Sequence, residues 1–241
     1  MFNATIITLY PEAFPGALDV SILARARKEG LWGLETVDLR EFGQGKHRKV
    51  DDTPAGGGAG LVLRADVAGA AIDAVAPQGR PLIYPSPRGK PFSQARAHEL
   101  AEGPGMVVLC GRFEGLDERV IEARGLEEVS LGDFVLAGGE VAAQAMIEAT
   151  VRLLPGVAGN AASIADESFE NGLLEYPLYT SPRVWEGHEI PPELLSGNHQ
   201  AIEQWRLNQS KALTRARRPD LWAAYPSGTE IRASETDDEC N

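Results

Sequence analysis

The sequence predicts an α/β fold in which parallel strands alternate with helices. Short apolar segments of strand length alternate along the chain with segments in which apolar residues recur at helical spacing. This alternation is typical of βα units, whose strands pair in parallel. A chain of 241 residues with 43% hydrophobic content can also bury a core, as one large domain or as a larger and a smaller one.

The individual elements follow from local periodicity and from residues that break it. In the first predicted helix Leu18, Ile22 and Ala26 are four residues apart and Gly30 closes the segment, whereas Ser93 is suited to cap a later helix. The predicted strands are residues 4–10, 34–39, 81–85, 106–110 and 129–136. The predicted helices are residues 17–29, 65–76, 93–102, 117–123, 140–154 and 200–212. Residues 51–60, which contain four glycines, are predicted to form a loop.

Residues 129–154 combine a strand, a glycine turn at Gly138 and Gly139, and a helix. Apolar residues recur on one stripe of this helix, namely Ala143, Met146, Ile147, Val151 and Leu154. Polar residues recur every fourth position on another stripe, namely Glu140, Gln144, Glu148 and Arg152. We therefore expect one face to pack and the other to be available for function.

The net charge of −12 argues against broad electrostatic attraction to nucleic acid or to anionic membranes. Two basic groups stand out against it, Lys46, Arg48 and Lys49 in the first and Arg206, Lys211, Arg215, Arg217 and Arg218 in the second. A solvated surface is the ordinary explanation for such groups. Much of the acidity falls in residues 230–239, which we expect to form a disordered tail.

Cysteine content and hydropathy indicate a cytoplasmic protein. Cys110 and Cys240 form neither a disulfide framework nor a metal-binding pair, so both are expected to be reduced. The chain has no secretion signal and no run of about eighteen apolar residues, so no membrane association is expected. The four histidines lack metal-ligand spacing, and no metal site is predicted from them.

Three successive predicted strands end in turns of small residues, at residues 84–89, 111–115 and 132–139. Ligands of open α/β sheets bind beyond the carboxyl ends of the strands, so these turns are expected to line one pocket. Pro91 after Gly89 and Lys90 excludes a P-loop, and there is no clean dinucleotide-binding fingerprint. From the glycines alone, tight connections without a ligand remain the alternative.

Several motifs in a fixed order carry a more specific signal. They are Asp51-Asp52-Thr53-Pro54, Gly56 to Gly58, Cys110 to Arg119, Gly132 to Glu140, Pro155-Gly156-Val157, Gly172 to Pro177, and Leu194 to His199. With these motifs, residues 4–218 resemble the TrmD family of bacterial tRNA guanine-N1 methyltransferases. The resemblance implies S-adenosylmethionine as methyl donor and, as acceptor, the guanosine 3′ of the anticodon, position 37 of tRNA. It also suggests Mg²⁺ as an aid to the base.

The same resemblance implies a domain organisation and a cofactor pocket. Residues 1–159 would form a trefoil-knotted parallel-sheet methyltransferase domain of the SPOUT type, residues 160–172 a linker, and residues 173–241 a helical tRNA-binding domain. The protein would be a homodimer whose active sites lie at the subunit interface, with each linker ordering over the partner's site. The cofactor pocket would consist of Tyr84, Pro85, Gly111, Phe113, Glu114, Gly115, Ser130, Leu131, Gly132, Asp133, Phe134, Val135, Leu136, Gly138 and Gly139.

Methylation of guanine N1 requires a base to remove the ring proton and a donor to stabilise charge at O6. By resemblance the arginine is Arg152 and the base is Glu167, with the neighbouring Asp166 as a rival because the family commonly has Asp at position 167. On spacing alone, an ion pair with Glu148 is the better explanation for Arg152, and a solvated linker residue for Glu167. Which carboxylate acts stays open at this point.

Departures from the family pattern leave two other hypotheses in place. Ser181 replaces an arginine of the family, and Phe113 and Phe134 replace tyrosines, which keeps ring packing but removes hydroxyl hydrogen bonds. Because Ala55, Ser181 and Glu167 all depart from the family pattern, an RNA-binding protein of the same fold with impaired catalysis is one alternative. A nicotinamide oxidoreductase is another, which the missing fingerprint disfavours. The second basic group would contact tRNA phosphates in the methyltransferase hypothesis.

Overall fold

The computed structural model describes residues 1–159 and 167–226. The chain forms two compact units, Met1–Ala161 and Ala162–Asn241. The predicted boundaries of the linker stay predictions. Its first part, with Asp166, lies outside the described residues, as does the predicted acidic tail.

The helices and strands alternate through the first unit. Its strands are β1 (Phe2–Thr8), β2 (Trp32–Asp38), β3 (Asp51–Asp52), β4 (Val62–Leu63), β5 (Leu82–Pro91), β6 (Gly105–Leu109) and β7 (Glu127–Ser130). Its helices are α1 (Ser21–Lys28), α2 (Ala65–Val75), α3 (Gln94–Glu102), α4 (Glu118–Arg124) and α5 (Glu140–Val151). Five strands form one sheet in the order β2-β1-β6-β5-β7, and every neighbouring pair is parallel. The predicted α/β class with parallel pairing is thus confirmed.

The sheet is covered by helices on both faces. Along β6, Met106 and Val108 pack into the core beneath α1, α3 and α5, whereas Val107 and Leu109 pack into the core beneath α2 and α4. Because strand side chains alternate between faces, a strand buried on both sides is apolar throughout. This explains why residues 106–110 form a continuous apolar run.

The predicted strand at residues 129–136 is wrong beyond Ser130. The Ser130 hydroxyl accepts a hydrogen bond from the Gly132 amide, and Gly132 has φ +151°, which turns the chain out of the sheet. Residues 131–139 are consequently a loop, named here the crossing loop. It leads from β7 at one edge of the sheet to α5, which packs on β1, three strands inward.

The trefoil knot stays a prediction from the family, since threaded chains are exceptions to the usual connection rules. The other corrections concern boundaries. Residues 17–29 divide into a 3₁₀ turn, Gly16–Asp19, and α1, because Val20 between them is extended. Asp51–Asp52 pairs with β4 and is not part of a loop, Cys110 follows β6, and α5 ends at Val151, three residues before Leu154.

Ser93 caps α3 as predicted, accepting a hydrogen bond from the Arg96 amide. The apolar stripe of α5 is buried as predicted. The polar stripe is not uniformly exposed, however, because Glu140 is buried at its start.

The second unit contains a hairpin of β8 (Val184–Trp185) and β9 (His188–Glu189), followed by helices α6 (His199–Arg217) and α7 (Pro219–Ala224). The predicted helix at residues 200–212 is therefore too short, and most of the second basic group lies within α6. Thr214 of α6 accepts a hydrogen bond from the Leu174 amide, which ties the start of this unit to its long helix. No helix in residues 1–159 or 167–226 is both long and apolar enough to cross a bilayer.

Candidate active site

A cavity of about 400 Å³ lies at the carboxyl ends of β5, β6 and β7. This is the edge at which open α/β sheets bind ligands, and the volume falls in the range typical of small-molecule pockets. The lining includes these residues predicted for the cofactor pocket: Tyr84, Pro85, Gly111, Phe113, Glu114, Gly115, Ser130, Leu131, Gly132, Phe134, Val135, Leu136, Gly138 and Gly139. Asp133 is the one predicted residue outside the lining. The three turns predicted from the sequence thus lie together at this cavity, while their role in binding a cofactor stays a prediction.

The β5 side of the cavity is formed by an interrupted strand. The pairing of β5 with β7 shifts register between Pro85 and Lys90, so the residues between them leave the ladder and reach the cavity. Tyr84 lies under this bulge, and a Cβ on Gly111 would come within 2.7 Å of its ring. Burial raises the pKa of the Tyr84 phenol, so it is a neutral hydrogen-bonding group at physiological pH.

The turn after β6 presents a carboxylate to the same cavity. Its backbone is fixed by a hydrogen bond from the Glu114 amide to the Leu61 carbonyl and by φ values of +59° at Phe113 and +126° at Gly115. Gly60 packs directly against the Glu114 side chain, where a Cβ would overlap it. The glycine-rich segment therefore supports Glu114, which the loop prediction alone did not indicate.

The crossing loop closes the cavity with backbone groups. Gly139 donates a hydrogen bond to the Gly111 carbonyl, and a Cβ on Gly139 would lie 2.9 Å from the Cys110 Cα. Within the described part of the chain, the amides of residues 135–138 have no protein hydrogen-bond partner. Four neighbouring amide donors at a cavity rim are suited to a ligand with several acceptors.

Apolar side chains of the crossing loop are exposed. Phe134 is 54% exposed and Val135 is 85% exposed, although both flank the cavity. Such side chains can cover a ligand or contact another chain.

The cavity also has charged residues outside the predicted cofactor set, although Arg88 lies within the predicted turn at residues 84–89. Arg88 of the bulge contacts Glu118 at 2.9 Å and Glu128 at 3.0 Å, and Arg88 and Glu118 both line the cavity. The remaining additions are Ser86, Pro87, Arg112, Leu116, Val129, Ala137 and Ala142. Two prolines and a glycine within residues 85–89 were the available signal, because prolines inside a strand mark a bulge or an edge.

Arg152 is not among the residues that line this cavity. Arg152 follows the last residue of α5, whereas Ala142 in the first turn of that helix lines the cavity. Ten residues separate them, which corresponds to about 15 Å along the helix axis. Glu167 belongs to the second unit, where it is partly exposed, and Asp166 is outside the described residues. The catalytic assignments therefore stay predictions.

The second basic group is only partly exposed. Arg206 stacks on Tyr176 with its guanidinium carbon 4.8 Å from the ring centroid, and Lys211 approaches Tyr225. Arg218 pairs with Asp220 and holds the pKa of that carboxyl down at about 2. Arg215 and Arg217 are exposed in the last turn of α6, where positive charge also complements the helix dipole.

Metal ligands do not cluster in the described residues. No group of three or more His, Cys, Asp or Glu side chains within residues 1–159 and 167–226 is arranged to hold a metal ion.

Comparisons with known proteins identify the family. The family model described as tRNA (Guanine-1)-methyltransferase TrmD matches residues 2–224. A protein of Rhodopseudomonas palustris named tRNA (guanine-N(1)-)-methyltransferase is 62% identical over 233 residues, covering 96% of this chain and 94% of its own length. Proteins with the same name are 61% identical in Mesorhizobium japonicum, covering 93% and 98%, and 58% identical in Brucella ovis, covering 93% and 92%. The chain therefore belongs to the TrmD family of tRNA (guanine-1)-methyltransferases.

Proposed function

We propose that this protein transfers the methyl group of S-adenosylmethionine to N1 of the guanosine at position 37 of tRNA. The observation that carries the proposal is family membership over almost the full chain, combined with a cavity built by the three predicted turns. The proposed location is the cytoplasm.

The cavity residues fit S-adenosylmethionine. Gly111, Gly138 and Gly139 let the turns pack tightly around the cavity, because a Cβ at each would collide with Tyr84, Arg112 or Cys110. The unpartnered amides of the crossing loop can donate to the purine edge, and Leu131 and Leu136 provide apolar surface for it. Glu114 supplies negative charge for the cationic part of the molecule. When bound, the cofactor supplies an electrophilic methyl group.

The protein's own groups would control the proton of guanine. Glu167 or Asp166 would accept the N1 proton, and Arg152 would donate hydrogen bonds to O6 as negative charge develops there. Which of these two adjacent carboxylates accepts the N1 proton stays a prediction. Glu167 is the one that the structure describes.

A homodimer would bring the cavity, Arg152 and the carboxylate base together. Because Arg152 lies about 15 Å along α5 from the cavity of its own chain, a second chain is the natural source of the arginine at each site. The exposed apolar side chains of the crossing loop give such a second chain a surface to contact. In the family-based hypothesis the linker with Glu167 also comes from the partner subunit.

Mg²⁺ is proposed to assist the carboxylate that accepts the N1 proton. Mg²⁺ commonly takes one or two carboxylates and completes its shell with substrate oxygens and water, so a preformed cluster of protein ligands is not required. The tRNA anticodon stem-loop would contact the second unit, in which Arg215 and Arg217 are exposed for phosphate binding.

The test is a methyl-transfer assay with labelled S-adenosylmethionine and a tRNA transcript that has guanosine after the anticodon. Label should enter this transcript and not a matched transcript with adenosine at that position, and addition of a chelator should slow the reaction. A protein that binds both ligands but transfers no label would be the catalytically impaired RNA-binding protein instead.

A further inference from the structure

A buried acid that has no role in the proposed methyl transfer lies beneath the crossing loop. Glu140 is only 3% exposed although it lies next to the cavity, and it is not part of the cavity lining. A buried carboxylate is costly unless it is paired and hydrogen-bonded. The residues that contact Glu140 therefore indicate why a charged side chain occupies this buried position.

Glu140 holds the guanidinium of Arg112 from one side. The Oε1 atom accepts hydrogen bonds from the Thr8 hydroxyl at 2.7 Å and from Nε of Arg112 at 3.2 Å. Nη2 of Arg112 lies 2.9 Å from Oε2, at an angle outside hydrogen-bond geometry. The guanidinium carbon also lies 4.3 Å from the centroid of the Tyr10 ring.

The other side of the guanidinium supports the crossing loop. Nη1 of Arg112 donates to the Ala137 carbonyl at 3.4 Å, and Gly138 rests on Nε so closely that a Cβ would overlap it. Arg112 thus joins the ends of three strands: Thr8 ends β1 and Tyr10 follows it, Arg112 follows β6, and Ala137 to Glu140 follow β7. The unpartnered amides of residues 135–138 belong to the same stretch of backbone.

We propose that Arg112 is a positioning residue for the crossing loop and that buried Glu140 fixes its guanidinium for this purpose. The inference rests on the proposed function, because the loop is taken to bind the adenosine part of S-adenosylmethionine. Only arginine offers a planar fork that can contact Glu140, a carbonyl and an aromatic face at once. Loss of either partner should therefore leave the loop amides misplaced even where the fold persists.

The test measures the dissociation constants of two ligands by calorimetry. S-adenosylhomocysteine carries an amino-acid carboxylate, whereas 5′-methylthioadenosine lacks it. The substitutions Arg112→Lys and Glu140→Gln should each raise Kd for both ligands by a similar factor of roughly ten, within the range found for coupled neighbouring residues. Arg124→Lys is the matched control, since Arg124 also pairs with two oxygens of an acid, Asp73, but lies outside the cavity lining.

A second readout does not depend on any ligand. Hydrogen exchange of the free protein should become faster at the Gly139 amide, which bonds to the Gly111 carbonyl, in both variants and not in Arg124→Lys. If Glu140→Gln fails to fold, Arg112→Lys, which keeps the positive charge, decides the question by itself.

The outcomes separate the inference from the proposed function. A wild-type protein that binds neither ligand would overturn both. A wild-type protein that binds, together with variants of unchanged Kd, would overturn only the role of Arg112 and Glu140. A loss confined to Arg112→Lys and S-adenosylhomocysteine would also overturn it, because Arg112 would then contact the ligand's carboxylate directly.

Discussion

At the scale of single residues, the buried thiol of Cys110 is kept neutral. Cys110 is fully buried where β6 ends, and burial together with the nearby Glu140 carboxylate raises the pKa of its thiol well above the usual value. The thiol form is favoured by folding, so its contribution to stability is present below about pH 8.5 and is lost only as pH rises toward the folded value. A buried thiol of this kind is inert as a nucleophile.

Alkylation tests this expectation directly. Iodoacetamide at about pH 8 should leave Cys110 unmodified in the native protein and modify it in denaturant, because only the thiolate reacts. Mass spectrometry of the Cys110 peptide gives the readout. Equal modification in both conditions would show that the thiol is accessible or ionised in the folded chain.

At the scale of single residues, the prediction about catalysis concerns Glu167. Glu167→Gln should lower the rate of methyl transfer about 10²- to 10⁴-fold while leaving the Kd of the cofactor unchanged, because a general base acts on the chemical step. Single-turnover kinetics with labelled cofactor measures the two effects separately. Glu170→Gln, three residues away, is the control and should keep its activity.

Full activity of Glu167→Gln would move the base to Asp166, and Asp166→Asn should then show the loss. A rate unchanged in both variants would contradict a carboxylate base in this segment.

The residues that sequence could identify are those whose type is dictated by local backbone. Gly111, Gly138 and Gly139 were predicted because turns after strands require glycine where the backbone comes close to other atoms. Arg112 and Glu140 were not recognised as a pair, because 28 residues separate them and a buried ion pair depends on tertiary packing alone. Periodicity placed Glu140 on a polar stripe, and only the fold shows that this end of the stripe is buried.

At the scale of elements, the crossing loop and α2 use glycine for different purposes. Gly138 rests on the Arg112 guanidinium, whereas Gly69 lies within α2 with only Arg124 near its Cβ position, at 3.8 Å. A methyl group at the first position should displace the guanidinium. At the second it should fill ordinary space and reduce the entropy of the unfolded chain.

These two glycines give a paired prediction. Gly138→Ala should raise the Kd of S-adenosylhomocysteine several-fold or more, with the loop displaced by the clash. Gly69→Ala should raise the free energy of unfolding by about 0.5–1 kcal/mol and leave the Kd unchanged. Calorimetry and thermal unfolding provide the measurements, and equal ligand affinity in the two variants would argue against a tightly packed loop.

Element prediction succeeded where strands were buried and failed where they ended. The strands β1 and β6 were found within two residues because they are buried on both faces. The edge strand β2 was found within two residues as well, although only Trp32 of it is buried. Residues 131–136 were assigned to a strand because Leu131, Phe134, Val135 and Leu136 have strand character, yet their side chains line a cavity or are exposed. Hydrophobic patterning cannot distinguish an apolar side chain that packs in a core from one that borders a ligand site.

At the scale of the whole molecule, the distance between Arg152 and the cavity of its own chain predicts that each active site combines residues of two chains. In the proposed homodimer each cavity receives Arg152 and Glu167 from the partner subunit. A chain with a damaged cavity and a chain with a damaged base would then complement each other.

Mixed dimers test this arrangement. Gly111→Ala, whose Cβ would lie 2.7 Å from the Tyr84 ring, impairs the cavity, and Glu167→Gln impairs the base. Co-expressed, the two variants should recover part of the wild-type rate, because one site per mixed dimer is intact. Co-expression of Arg152→Ala with Glu167→Gln should recover none, since both groups would come from the same chain. Recovery in the second mixture would place the arginine and the base on different subunits.

The position of α5 also affects how the chain is made. This helix contributes Met146, Ile147 and Val151 to the core on one face of the sheet, and it follows all five sheet strands in the sequence. During synthesis all five strands therefore leave the ribosome before α5, and the part of this face that α1 and α3 do not cover stays exposed until α5 emerges. Polypeptides truncated before α5 would expose this apolar surface and would be removed by chaperones and proteases. The nascent domain is therefore protected from aggregation only once its last helix has been synthesised.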